Sequence, residues 1–378
     1  MTTTATKAPY LDTLALILTD IVAPMAAEID REGAYPRAAL DALGAAGLLG
    51  LVSAPEVGGL GQGHRAAAYV VEHIARHCAS TAMVTCMHYA GAAVVEAHGS
   101  REARTDIAAG RAITTLAFSE NGSRSHFWAP VSTASATDGG GRLDARKSWV
   151  TSAGEANLYV WSSRPLAGEG MSTIWLVSNG TPGLRVLGPF DGMGLRGNGS
   201  SPMLGEGVVA PLEAMLGADG QGFEIMMGVV LPYFQVMSAG MSLGTMEAAT
   251  EKTAAHAAGT VFAHLAQPLA DLPTIRANIA RMRIKTDAIR ALLDDTLTAL
   301  ETGREDTMLR VLEVKAAAGE AATEVTDLAM RVCGGAAFRK EVGVERHFRD
   351  ARAATVMAPT TDVLYDFIGK VACGMPLF

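Results

Sequence analysis

Ala112-Ile113-Thr114-Thr115-Leu116-Ala117-Phe118-Ser119-Glu120 is where the chain changes character. β-Branched and aromatic residues dominate it, and short runs of the same kind follow at 148–153, 157–164, 172–178 and 184–189, separated by Gly, Asn, Ser and Pro. Residues 113–218 therefore read as a β-domain, a barrel or a sandwich. Upstream, in segments such as 36–50 and 64–99, apolar residues recur at spacings of three and four, so 1–112 reads as an α-helical domain. Downstream, 219–378 returns to Ala-, Met- and Leu-rich helical periodicity. Its stretches 222–258 and 274–302 are long and apolar enough to pack antiparallel, which predicts a four-helix bundle. The fold class expected is α+β, mostly α, in the order helices, strands, helices.

The 378 residues are 49% hydrophobic, enough for a large buried core. With 39 acidic against 31 basic residues, the net charge is -8, and no Lys/Arg block marks a nucleic-acid surface. The first residues lack a basic leader followed by an apolar core, and no stretch holds eighteen uninterrupted apolar residues. A cytoplasmic protein without membrane insertion is expected. Cys78, Cys86, Cys333 and Cys373 lie far apart with no ligand spacing, which predicts buried free thiols, no disulfide and no metal site.

Four segments carry more specific information. Pro55-Glu56-Val57-Gly58-Gly59-Leu60-Gly61 is a glycine-rich turn between helical stretches. Leu116-Ala117-Phe118-Ser119-Glu120-Asn121-Gly122-Ser123-Arg124-Ser125 is a strand running into a polar loop, and Lys147-Ser148-Trp149-Val150-Thr151-Ser152 is a second strand. Arg331-Val332-Cys333-Gly334-Gly335-Ala336-Ala337-Phe338 is followed by Val344-Glu345-Arg346-His347-Phe348-Arg349-Asp350. Two adjacent glycines there would let backbone approach a phosphate or an adenine closely. In this order and spacing, over 35–366, the segments resemble the acyl-CoA dehydrogenase family. That resemblance implies an FAD-dependent oxidoreductase acting on an acyl thioester, linked to CoA or to an acyl-carrier protein. It further implies that Phe118, Ser119, Ser125, Trp149, Thr151, Phe262 and Thr360 hold the flavin. Arg331, Gly334 and Gly335 would touch a flavin bound mainly by another subunit, making the protein a homodimer or homotetramer.

The sequence also departs from the family pattern. The family's catalytic glutamate falls at Ala358, which offers only a backbone N–H, and the alternative base position is Tyr233, whose phenol with a pKa of about 10 is a poor base near neutrality. Asp362, one turn further, is a substitute base or the cap of a helix beginning at Val363. His88 is either a buried structural histidine or, if the protein is a flavin monooxygenase on the same scaffold, a proton donor beside the flavin. An arginine expected near the flavin pyrophosphate is replaced by Gly259, a charge that Arg331 would resupply. Three functions stay open: α,β-dehydrogenation or a variant with a non-standard base, a monooxygenase using reduced flavin (FAD or FMN) and oxygen, and a catalytically silent flavin-binding subunit. An electron-transfer flavoprotein or a flavin reductase would be the redox partner.

Overall fold

The structure, a computed structural model, describes residues 9–123, 125–264 and 266–377. Six helices come first: α1 Pro9–Ile17, α2 Ala23–Glu32, α3 Arg37–Ala45, α4 His64–Ala75, α5 Ala79–His98 and α6 Arg101–Ala108. Eight strands follow: β1 Thr114–Ala117, β2 Thr133–Thr137, β3 Gly140–Val150, β4 Leu158–Ser163, β5 Thr173–Ser178, β6 Leu184–Val186, β7 Ser201–Pro211 and β8 Met215–Leu216. The last part holds α7 Gly222–Ile225, α8 Leu231–Gly259, the two-residue strands β9 Val261–Phe262 and β10 Gln267–Pro268, α9 Pro273–Thr302, α10 Thr307–Phe338, α11 Val344–Ala351, α12 Ala353–Val356 and α13 Thr361–Ala372. The helices-strands-helices order is as read from the sequence.

The middle strands form two four-stranded sheets, ordered β1-β4-β5-β8 and β2-β3-β7-β6, with β1 parallel to β4 and the other pairs antiparallel. Trp161 of β4 and Trp175 of β5 are fully buried between them. A Cβ at Gly141 of β3 would lie 2.8 Å from the Trp175 ring, and one at Gly205 of β7 would lie 3.3 Å from Trp161. Large rings on one sheet thus fill spaces left by glycines on the other, which makes the unit a sandwich. The indole N–H of Trp175 donates to Ser163 Oγ at 2.9 Å, so the ring is buried without an orphaned donor.

In the C-terminal part α8 packs against α9, α10 and α4, while α13 lies along α10. The approach of α8 to α4 is close: a Cβ at Gly244 would fall 2.1 Å from Glu72 O and one at Gly240 2.7 Å from Ala68 O. Those two glycines allow backbone contact that any side chain would block.

The structure corrects several expectations. β2 and β7 were not among the strand-like runs, because Thr133–Thr137 presents mostly small exposed side chains and Ser201–Pro211 contains two glycines and two prolines. α10 is two helical pieces joined across a kink at Gly334 (φ 54°, ψ -132°), where the backbone is not helical, so the longer piece ends at the glycine pair and a short one continues to Phe338. α13 starts at Thr361 with Thr360 as N-cap, two residues earlier than Asp362 capping would require. Cys78, Cys86 and Cys333 are buried, but Cys373 sits exposed just beyond α13. Two segments, Tyr10–Glu32 and Gly222–Gly259, are long and apolar enough to cross a membrane, and the second is largely buried inside the protein.

Candidate active site

A cavity of about 600 Å³ opens where the sandwich meets the helices. One wall is the β1 end and following loop, with Phe118, Ser119, Glu120, Asn121 and Ser125. The next is the end of β3, with Ser148, Trp149 and Thr151. The 190–200 segment adds Phe190, Gly194, Leu195, Asn198 and Ser200. The helical side comprises Met83 and Met87 of α5, Val230, Leu231 and Phe234 at the start of α8, and Ala353, Val356, Met357, Ala358 and Thr360. Met226–Val230 is a π-helical turn, whose extra residue per turn re-aims the side chains entering α8.

Glu120 is the ionisable side chain among these lining residues, and it is fully engaged. It accepts from Lys147 Nζ at 2.5 Å, from the Ser132 hydroxyl at 2.5 Å, and from the backbone N–H groups of Val131 and Ser132 at 2.7 and 2.9 Å. Burial raises its pKa, but Lys147 and Ser132 outweigh this and hold the carboxyl below its ordinary value. Lys147, wholly buried, also donates to Ser162 O and Oγ. Such a satisfied ion pair fixes the β1 loop to the sandwich and has no lone pair to spare for a substrate proton.

The positions read from the sequence divide cleanly. Phe118, Ser119, Ser125, Trp149, Thr151, Ala358 and Thr360 come together around the cavity. Ser125 Oγ donates to Thr360 Oγ1 at 3.1 Å, joining the β1 loop to the α13 N-terminus across 235 residues of sequence. Thr151 and Ser200 hydroxyls pair at 3.0 Å. Arg124 lies outside the described residues.

The remaining candidates sit elsewhere. Tyr233 turns away from the cavity and stacks on His64 at 3.9 Å, and burial raises its phenol pKa, the opposite of what a base requires. Asp362 is exposed in the first turn of α13 and does not line the cavity. His88 is completely buried behind the wall, with Nε2 2.8 Å from Leu49 O and Nδ1 accepting from Thr114 N–H. Burial depresses its pKa to about 4, so it is a neutral ring with both nitrogens occupied, tying α5 to β1. Phe262 is in the β9 strand, and Arg331, Gly334 and Gly335 are exposed on α10; none lines the cavity of its own chain.

Lys315 escaped the sequence reading. It sits on α10 with 1% exposure and donates to Ala354 O, Met357 O and Pro359 O at 3.2, 3.0 and 2.8 Å, directly behind Ala358. Burial pushes its pKa down to about 7, while the three carbonyls favour the charged form. The signal was present: Val311, Lys315, Ala318 and Ala322 share one helical face that is otherwise apolar and buried.

The residues present fit a flavin. Trp149 leaves a large ring 63% exposed in an otherwise protected wall, a surface that a planar aromatic ligand would cover. Thr361 Oγ1 is buried without a partner among the described residues at the start of α13, and Thr360 does not cap that helix with its side chain. A helix N-terminus with unused N–H groups and hydroxyls is suited to a phosphate. FAD bound here would supply a two-electron acceptor; Phe118 and Trp149 would hold its ring, and Ser125, Thr151 and Thr360 its polar edge.

Comparison with known proteins agrees with this architecture. Family models for the N-terminal, middle and C-terminal domains of acyl-CoA dehydrogenase match residues 5–110, 115–208 and 220–373. The human mitochondrial short-chain specific acyl-CoA dehydrogenase is 30% identical over 350 residues, 90% of this chain and 83% of that protein. Cyclohex-1-ene-1-carbonyl-CoA dehydrogenase of Geobacter metallireducens is 28% identical over 95% of this chain and 96% of its own length. The butyryl-CoA dehydrogenase structure from Megasphaera elsdenii superposes with a TM-score of 0.89 at 23% identity, covering 96% of this chain and 98% of that one.

Proposed function

The chain belongs to the acyl-CoA dehydrogenase family of FAD-dependent oxidoreductases, and on that premise we propose that it binds an acyl thioester, linked to CoA or a carrier protein, in this cavity. The observation carrying the proposal is the convergence of the Phe118–Ser125 loop, the Trp149–Thr151 strand and Ala358–Thr360 around one mostly apolar space. Ala358 keeps a backbone N–H, and no described residue accepts from it. That N–H would hold the thioester carbonyl and stabilise negative charge developing on its oxygen. The acyl chain would run against Met83, Met87 and Phe234, walls whose methionines adapt to different shapes.

Ala358 cannot take an α-proton, Tyr233 and Asp362 face elsewhere, and Glu120 is locked to Lys147. Dehydrogenation would therefore use a non-standard base and run slowly with simple acyl-CoA. The same observation favours a second reading, a monooxygenase using reduced flavin and oxygen, which needs no carboxylate in the wall. In either case Phe262, Arg331, Gly334 and Gly335 would serve the cofactor of a second copy, and an electron-transfer flavoprotein or a flavin reductase would be the redox partner. A cytoplasmic location goes with both.

Anaerobic titration of the purified flavoprotein with a panel of acyl thioesters tests this. Bleaching of the visible flavin band supports direct oxidation of the thioester. A flavin that stays oxidised under thioester, but after chemical reduction consumes oxygen and oxygenates it, supports the second reading. A protein that takes up no flavin, or whose flavin ignores every thioester by both criteria, contradicts the proposal.

A further inference from the structure

We propose that Lys315 is a positioning residue that polarises the Met357–Ala358 peptide, making the Ala358 N–H a stronger hydrogen-bond donor toward the substrate carbonyl. The inference rests on the reading that this N–H holds the thioester.

The one cis peptide among the described residues is Ala358-Pro359, so the Met357–Ala358 bond is trans. In a planar trans peptide the C=O and the N–H point in opposite directions. Met357 O accepts from Lys315 Nζ at 3.0 Å, beneath the wall, so the N–H of the same peptide points away from Lys315. Ala358 lines the cavity, and no described residue accepts from its N–H. The cation therefore sits on the carbonyl side of a peptide whose N–H belongs to a cavity-lining residue and has no acceptor among the described residues.

Charge and valence strengthen the arrangement. An ammonium has three donors, and three carbonyls converge on Nζ at 2.8 to 3.2 Å; a neutral amine, with two, would orphan one buried carbonyl. No carboxylate pairs with Lys315 among the described residues, so its charge is spent on the loop's carbonyls. Hydrogen bonds in series polarise one another, and the effect is larger away from water. Donation from a buried cation to Met357 O draws electron density through the amide and leaves its N–H more positive. Because residue 358 is alanine, no side-chain carboxylate there offsets this field. The N–H of Thr360 stands in the same relation, through Pro359 O.

The test is isotope-edited infrared spectroscopy of butyryl-CoA carrying a ¹³C thioester carbonyl, bound to the flavin-loaded protein. In the native protein the carbonyl band should lie below its position in water. Lys315→Met should still bind FAD but lose most of that red shift, with Lys315→Gln, which keeps one good donor, in between. Turnover should fall about tenfold or more with a smaller change in KM. A merely structural lysine would change stability without moving the band of the bound ligand. An unshifted native band would contradict carbonyl recognition at Ala358 itself, whatever Lys315 does. A native red shift kept in full by Lys315→Met overturns the role given to Lys315. Should neither variant fold, the ζ-¹⁵N signals of the native protein decide: Lys315 as an ammonium that responds to the thioester supports the proposal, and as a neutral or unresponsive amine overturns it.

Discussion

Residue 358 is where sequence and structure speak most directly to each other. An alanine there was visible by counting, but its meaning needed the wall around it, since in one dimension Tyr233 and Asp362 stood as substitute bases and His88 as a proton donor beside the flavin. The structure turns each of them elsewhere for an ordinary reason: Tyr233 stacks on His64, Asp362 is solvated, and His88 satisfies Leu49 and Thr114. If the rest of the cavity is intact, Ala358→Glu should accelerate anaerobic flavin reduction by acyl-CoA about 10²- to 10⁴-fold, the usual worth of a positioned base. No acceleration in stopped-flow would mean that the cavity departs from dehydrogenation in more than its base. The glycine pair offers a second residue-scale prediction. Gly334 occupies a backbone conformation costly for any other residue, whereas Gly335 has an ordinary φ and open space where a Cβ would go. Gly334→Ala should lower stability by about 1–3 kcal/mol, and Gly335→Ala should be neutral or slightly stabilising in chemical denaturation.

At the scale of elements, the helices were legible because their apolar periodicity is long, and the strands partly so. β2 was missed because pairing with β3, not side-chain character, holds it, and β7 because two glycines and two prolines interrupt a strand that nonetheless buries Met203, Val208 and Ala210 beside β3. Ion pairs between helices were equally invisible, since their partners lie far apart in sequence. Glu247 of α8 accepts from Arg283 and Arg290 of α9, and Arg290 reaches Glu72 of α4. Hydrogen bonding from Arg283, with Arg290, holds the Glu247 carboxyl at about 2 against the opposing effect of burial. With its folded pKa depressed, Glu247 contributes stability that is present above its unfolded value of about 4.5 and lost as pH falls toward 2. We expect a contribution on the order of 2 kcal/mol, discounted because both arginines are partly exposed. Denaturation curves of Glu247→Gln should lie below native at pH 7 and converge with it near pH 2; a constant offset across that range would refute the assignment. A second link joins α11 to the cavity, where Asp350 accepts from Leu195 N–H at 2.6 Å and Arg349 pairs with Asp30 of α2. Asp350→Ala should release the 190–200 wall and raise KM for the thioester several-fold, a change absent if that segment is held by its own turns.

For the whole molecule, the order helices, sandwich, helices places one cavity at the junction of all three parts, and residues from each line it. Seven positions singled out through the resemblance to local motifs line it together, because strand ends and loops carry their hydroxyls and rings in short segments. The resemblance could not find Lys315, whose effect passes through backbone carbonyls 39 to 44 positions away. The account's central claim is that this junction holds flavin and acyl thioester side by side, whatever reaction follows. Its most direct test is an absorbance difference titration of the oxidised, FAD-loaded protein with butyryl-CoA. A saturable perturbation of the visible flavin band, abolished by filling the wall with Leu116→Trp, is the result predicted here. A flat difference spectrum through millimolar thioester, with CoA and carrier-linked forms alike, would contradict it.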